Sequence, residues 1–217
     1  MTDIKEVKMN KHYIINNSDQ ERRYLKFVKP RVEYRGEGDD KKPYVVGHAA
    51  VFDSLSENLG GFRETIERNA FDDVLEDDVR ALFNHDPNLI LARTKSGTLK
   101  LSLDEKGLRY EFDVPDTTTG RDLLVSLERG DVSQSSFGFT VEQDSWDKDE
   151  DGIHIRSISK VKRLFDVSPV VYPAYPSADV AKRSLAAAIQ TRKAEQDPPV
   201  LKLDMFKKRI NLLKLKA

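Results

Sequence analysis

The chain has 217 residues, 38% hydrophobic and 34% charged, with 36 Lys or Arg against 37 Asp or Glu for a net charge of −1. That length can bury one sizeable core; no apolar run approaches the ~18 residues of a membrane-spanning helix, and bulk charge gives no case for nucleic-acid binding. The absence of cysteine excludes disulfides, a thiolate nucleophile and cysteine-based zinc sites, and suits a cytoplasmic protein.

The first twenty residues, "MTDIKEVKMNKHYIINNSDQ", have no apolar core of signal-peptide type, so export is not expected, and residues 1–21 read as a loose polar arm. "RRYLKFVKPRVEY" favours extended structure, with Pro30 confining part of it to an edge strand or a bend. "YVVGHAAVF" is a short apolar strand whose Gly47 marks a bulge or a close backbone approach. "GGFRETI" alternates as another strand. Asn69 in "RNAFDDVLEDD" can cap a short helix, with Asp72 three residues on.

In "VRALFNH" the period of two puts Val79, Ala81, Phe83 and His85 on one face of a strand. "TLKLSLDEKGLRYEFDVP" reads as a hairpin turning at Asp104–Gly107. "TTTGRDLLVSLERGD" is an amphipathic helix with Leu123, Leu124 and Leu127 inward and Gly130 as its stop. Then come "SFGFTVEQ", a polar loop, "GIHIRSI" and "SKVKRLFDVSPVVYP". A second helix starts at Ser177 with Asp179 in its first turn, and "QDPPV" breaks the chain. About seven short strands with turn signals every 8–12 residues and two inserted helices point to an α+β fold: a mostly antiparallel barrel or sandwich with packed helices.

The residues left for chemistry are hydroxyls, carboxylates and His12, His48, His85 and His154. A metal site is disfavoured because the histidines are scattered and form no HExxH pair. "DKDEDG" at 147–152 resembles the start of a calcium loop, but Ile158 stands where the closing glutamate belongs, so a solvated loop is the better reading. "GEGDD" at 36–40 lacks the Gly-Lys-Ser/Thr of a phosphate loop and reads as a linker.

Serine chemistry is harder to set aside. A serine hydroxyl needs an imidazole to take its proton and an acid to fix the imidazole tautomer. His85 lies at the end of its strand, before an Asp-Pro turn. Ser133, Ser135 and Ser136 open a strand whose Gly138 would let substrate or another backbone come close. Asp166 interrupts the apolar run "LFDVSPVVY", where an unpaired carboxylate would be costly. Residue types alone leave other readings open: His85 could cap its strand, Asp166 could pair with an arginine, and "SSFGF" is not the GxSxG elbow.

From about Arg22 to Leu185 the chain resembles the prohead (capsid maturation) protease family of tailed phages, relatives in fold of the herpesvirus assemblin serine proteases. The resemblance is carried, in the family's order, by "GHAAVFDSLSENLGGFRETIERNAF", "VRALFNHDPNLILARTKSGTLKLSLDEKGLRYEFDVP", "GRDLLVSLERGDVSQSSFGF" and "LFDVSPVVYPAYPSA". It implies a catalytic histidine in the Asn-His-Asp segment, a nucleophile before the Phe-Gly-Phe triplet and an acid in the Leu-x-(Glu/Asp)-Val-Ser segment. Those become His85, Ser136 and Asp166. The family more often has Glu where Asp166 stands, and Met where Ser135 stands.

The resemblance further implies an assemblin-like barrel over residues 22–190, acting as a serine endopeptidase without metal or organic cofactor. Its expected partners are phage scaffold and major capsid proteins, with self-cleavage and a homo-oligomer in view and no nucleic acid or membrane. Its place is the host cytoplasm, inside the procapsid. Arg93 in "LARTKSGTL" is a candidate oxyanion donor, through its backbone N–H or a water held by its guanidinium; the alternative is an ordinary strand-end arginine. The competing functional readings are a catalytically inactive scaffold module of the same fold and a metal-dependent hydrolase using His85.

Residues 191–217 form a linker and a basic tail. Eight Lys or Arg against three Asp or Glu give that segment a net +5, leaving −6 on the rest. Leu203, Phe206, Ile210 and Leu213 recur at helical spacing, so the tail reads as an amphipathic helix: a detachable segment that docks on scaffold or capsid, with a helix packed on its own domain or a basic membrane-surface helix as the alternatives.

Overall fold

The computed structural model describes residues 20–25, 29–172 and 184–190. In chain order it contains β1 (Glu21–Leu25), β2 (Arg31–Arg35), β3 (Lys42–Val51), β4 (Phe62–Ile66), β5 (Arg80–Leu82), β6 (Ile90–Arg93), β7 (Leu99–Leu103), β8 (Gly107–Asp113), α1 (Thr118–Arg129), β9 (Gln134–Lys148) and β10 (His154–Val170). A second helical segment covers residues 184–190. The expected N-terminal arm (bar its last two residues), the start of the second helix at Ser177 and the basic tail lie outside the described residues.

Alternation sets most of the strands. β7 and β8 form the expected hairpin, Leu99 opposite Phe112 and Leu103 opposite Leu108. Asp104 closes its turn by accepting from the backbone N–H groups of Lys106 and Gly107. β2, β3, β8 and β7 make one four-stranded sheet. A second sheet runs β1-β9-β10-β5-β6, with β4 also paired to β10. Pro30 stands just before β2, where the chain passes from the second sheet to the first, which is the break its missing N–H favours.

Helix α1 is capped by Thr117, whose side chain accepts from the Gly120 N–H, and it stops at Gly130 in the left-handed conformation (φ 82°). Leu123 and Leu127 are buried, and Leu124 is half-buried. They join residues of both sheets in one core that includes Val45, Tyr110, Phe137, Phe139, Ile158 and Val167. Gly47 leaves room for the Tyr110 ring: a Cβ there would lie 2.4 Å from it. A smaller apolar cluster of Leu59, Phe62 and Trp146 packs with Leu185 and Ala188 of the 184–190 helix.

Two expectations are corrected. The strand pairing does not close into a barrel among the described residues; two sheets share one core instead. Pairing is mostly antiparallel, as expected, with β4 and β5 both running parallel to β10. The Asn69-capped helix is replaced by a 3-10 turn, Asp72–Val74, with no side-chain cap.

The polar stretch expected between "SFGFTVEQ" and "GIHIRSI" is also not a loop until Asp149. β9 and β10 are single strands of 15 and 17 residues, paired from Lys148↔His154 to Gln134↔Val170 with several bulges. Their polar ends stay in the sheet because Asp144 and Arg156 are buried against each other. No helix among the described residues is long and apolar enough to cross a membrane.

Candidate active site

Period-two alternation along β9 separates Ser135 from Ser136. Ser135, Phe137 and Phe139 point into the core, where the Ser135 and Tyr110 hydroxyls hydrogen-bond at 2.7 Å. Burial drives the Tyr110 phenol well above its usual pKa. Ser136 and Gly138 point to the opposite face. Across the sheet, Ser168 of β10 is in register with Ser136, and Asp166 with Gly138. Gly138 has a specific reason to lack a side chain: a Cβ would lie 2.5 Å from Asp166 Oδ2 and 2.6 Å from Gln20 Nε2. The atoms that crowd the glycine are thus side-chain groups, the Asp166 carboxylate and the Gln20 amide, rather than another backbone.

The histidine arrives from β5, which runs beside β10 with Arg80 opposite Asp166 and Ala81 opposite Val167. His85 was expected on the strand itself, in line with Val79 and Phe83. Instead β5 ends at Leu82, and Asn84 and His85 both adopt left-handed conformations (φ 55° and 59°). Asn and His tolerate that region better than most side chains. The Asn84 N–H donates to the Pro169 carbonyl at 3.1 Å, and Asn84 Oδ1 accepts from the Val171 N–H at 2.9 Å. These two bonds fasten the turn to the end of β10.

The turn aims the imidazole between the two strands. His85 Nδ1 lies 2.5 Å from Asp166 Oδ1, and Nε2 lies 2.6 Å from Ser136 Oγ. With Nδ1–H donating to the carboxylate, Nε2 is left to accept from the serine O–H. All three groups are buried, with Ser136 at 0%, Asp166 at 4% and His85 at 7% exposure. Low polarity around them strengthens each hydrogen bond. A serine hydroxyl, an imidazole and a carboxylate in this order are the groups that nucleophilic acyl transfer requires.

Other expected residues fall elsewhere. Arg93 is not brought to Ser136: its guanidinium forks onto Asp78 at 2.6 and 2.5 Å, and its backbone N–H donates to Thr98 Oγ1. That pairing holds the Asp78 carboxyl down at about 2 and leaves Arg93 as a strand-end arginine. Asp86, next to the histidine, turns back to accept from the Asn88 N–H and side-chain amide. His48 hydrogen-bonds Asp104 at 2.7 Å on the other sheet. Among the described residues no group of three or more His, Asp or Glu is placed to hold a metal ion.

One member of the cluster was not anticipated. Ser168 donates its hydroxyl hydrogen to Asp166 Oδ1 at 2.6 Å. The Asp-Val-Ser spacing could have suggested it, since residues two apart on a strand share a face. A lone serine in an apolar strand carries no such signal by itself.

The chain belongs to the caudovirus prohead serine protease family, whose model matches residues 30–192. Its similarity also extends to the solved structure of the bacteriophage T4 capsid assembly protease, gp21, at 13% identity and a TM-score of 0.44. That alignment covers 70% of this chain and 99% of the T4 chain. None of the curated proteins matches the chain.

Proposed function

We propose that this protein is a serine endopeptidase that cleaves scaffold and capsid-protein segments, and itself, inside the assembling procapsid. The observation that carries the reading is the hydrogen-bonded line Ser136–His85–Asp166, within a chain of the prohead protease family. Ser136 Oγ attacks the scissile carbonyl carbon as its proton passes to His85 Nε2. Asp166 holds the imidazole in the Nδ1–H tautomer and stabilises the imidazolium. His85 then gives its proton to the departing amine, and a water molecule, deprotonated by the same nitrogen, releases the acyl group.

The test is co-expression with the capsid protein, mass spectrometry of the fragments and labelling by a fluorophosphonate. Ser136→Ala should give a folded chain without cleavage or labelling, a loss on the order of 10⁶ in kcat when triad groups act as a unit. His85→Ala should fall about as far. Ser135→Ala should keep most of the activity; a reversed outcome for the two serines would move the nucleophile by one residue. A chain that cuts no capsid protein and takes no label would instead be an inactive assembly module.

A further inference from the structure

We infer that Ser168 is a positioning residue that holds the Asp166 carboxylate in place, an inference that rests on the serine-peptidase reading above. Ser168 is fully buried, and its Oγ–H donates to Asp166 Oδ1 at 2.6 Å. The same oxygen accepts from His85 Nδ1–H at 2.5 Å. A carboxylate oxygen can take two donors at once. The terminal torsion of an aspartate is soft, so one hydrogen bond alone leaves the group free to turn away from the imidazole. The second donor comes from the neighbouring position on the same face of β10, directly opposite Ser136 in register, and it removes that freedom.

The hydroxyl has an electrostatic consequence as well. It shares the negative charge that stabilises a protonated His85, and so tempers the basicity the carboxylate imposes on the ring. The neighbouring charges do not substitute for it. Arg80, in register with Asp166 on β5, sends its guanidinium to Asp78 instead. Asp86 is engaged by Asn88. Gln20, which approaches Asp166 from the β1 side, is uncharged.

The experiment measures fluorophosphonate labelling of the full chain across pH, per folded molecule by circular dichroism. The unsubstituted chain should be labelled at Ser136; a chain that is not labelled would overturn the peptidase reading and this inference together. Ser168→Ala should slow labelling about ten- to a hundredfold, the range carried by a hydrogen bond to a charged group. The midpoint of its pH profile should also move to higher pH, which a merely structural serine would not cause. In an Asp166→Ala background, which removes the acceptor altogether, Ser168→Ala should change the rate less than about twofold, because the serine acts only through that carboxylate. Native-rate labelling of Ser168→Ala, or equal losses in both backgrounds, would overturn the inference and leave the peptidase reading standing. So would a Ser168→Ala chain that does not fold, since the hydroxyl would then be a structural tie.

Discussion

A single methyl group measures how tightly the site is built at Gly138. Its Cβ would lie 2.5 Å from Asp166 Oδ2, and that carboxylate cannot swing aside freely because His85 and Ser168 hold its other oxygen. Gly138→Ala should therefore cost about 1–3 kcal/mol of stability, as overpacking of a close-packed site does. Labelling of Ser136 should fall at least tenfold, as a misplaced acid implies (~10-fold or more). A variant that folds and labels like the parent would mean the carboxylate has room that the geometry denies it. Ser135 gives the opposite pattern: removing its hydroxyl leaves the buried Tyr110 O–H without its partner, costing about 1–3 kcal/mol while sparing the chemistry. Asp166 was legible as a carboxylate out of place in an apolar run. The choice between adjacent serines was legible only in part, because alternation separates two faces but does not say which one meets a histidine 51 residues away.

The element that delivers the histidine is a turn, and its conformation was not visible in the alternating pattern before it. "VRALFNH" continues the period of two through His85, yet the strand stops at Leu82 because Asn84 and His85 go left-handed. What ends the strand is a long-range contact, the Asn84 bonds to Pro169 and Val171, which local sequence does not encode. The same reason hid the length of β9 and β10, whose polar ends look like loop until each charge is matched with its distant partner. Hairpin β7–β8 and helix α1, fixed by neighbours in sequence, were legible with their turn and caps. At Asn84 the two contributions can be separated. Asn84→Ala keeps a Cβ at φ 55° without the polar side chain that makes that region tolerable and removes the acceptor for Val171, so it should cost about 1–2 kcal/mol. Asn84→Gly accepts that φ and loses only the acceptor. Denaturant unfolding should rank the glycine variant above the alanine variant; the reverse order would mean that the left-handed φ costs alanine less than ordering a glycine there.

Across the whole molecule, one buried ionic network ties four strands of the larger sheet together beside this site. Arg156, fully buried on β10, donates from Nε to Asp144 Oδ2 at 2.5 Å and from Nη1 to Glu21 at 2.8 and 3.0 Å and Glu64 at 3.1 Å. Arg23 forks onto Glu64 at 2.7 and 2.9 Å and also donates to Glu21. β1, which lies against β9 with Tyr24 opposite Ser136, is held at its other face by this cluster. Removing Arg156 leaves three carboxylates buried with one guanidinium, so Arg156→Met should cost about 3–5 kcal/mol. Asp144 is the weak member. Burial raises its carboxyl pKa more than Arg156 lowers it, and its Oδ1 has no hydrogen-bond partner among the described residues. For Glu21 burial also pushes upward, but Arg156 and Arg23 outweigh it and hold the group low. The signs of their linkage to stability are opposite. Glu21, with its folded pKa below the unfolded one, stabilises the fold above its unfolded pKa and loses that contribution as pH falls through the folded value. Asp144, with its folded pKa above, penalises the fold at higher pH, and the penalty is relieved as pH falls through its folded value. Asp144→Asn keeps an acceptor for Arg156 and removes the charge. It should be more stable than the parent at pH ~8, with the advantage shrinking on acidification toward pH ~5, as linkage at a single raised carboxyl requires. Chemical denaturation of both chains at the two pH values decides the matter. A variant that loses ground as pH rises would show that Asp144 is ionised and stabilising, with Arg156 holding it as firmly as it holds Glu21.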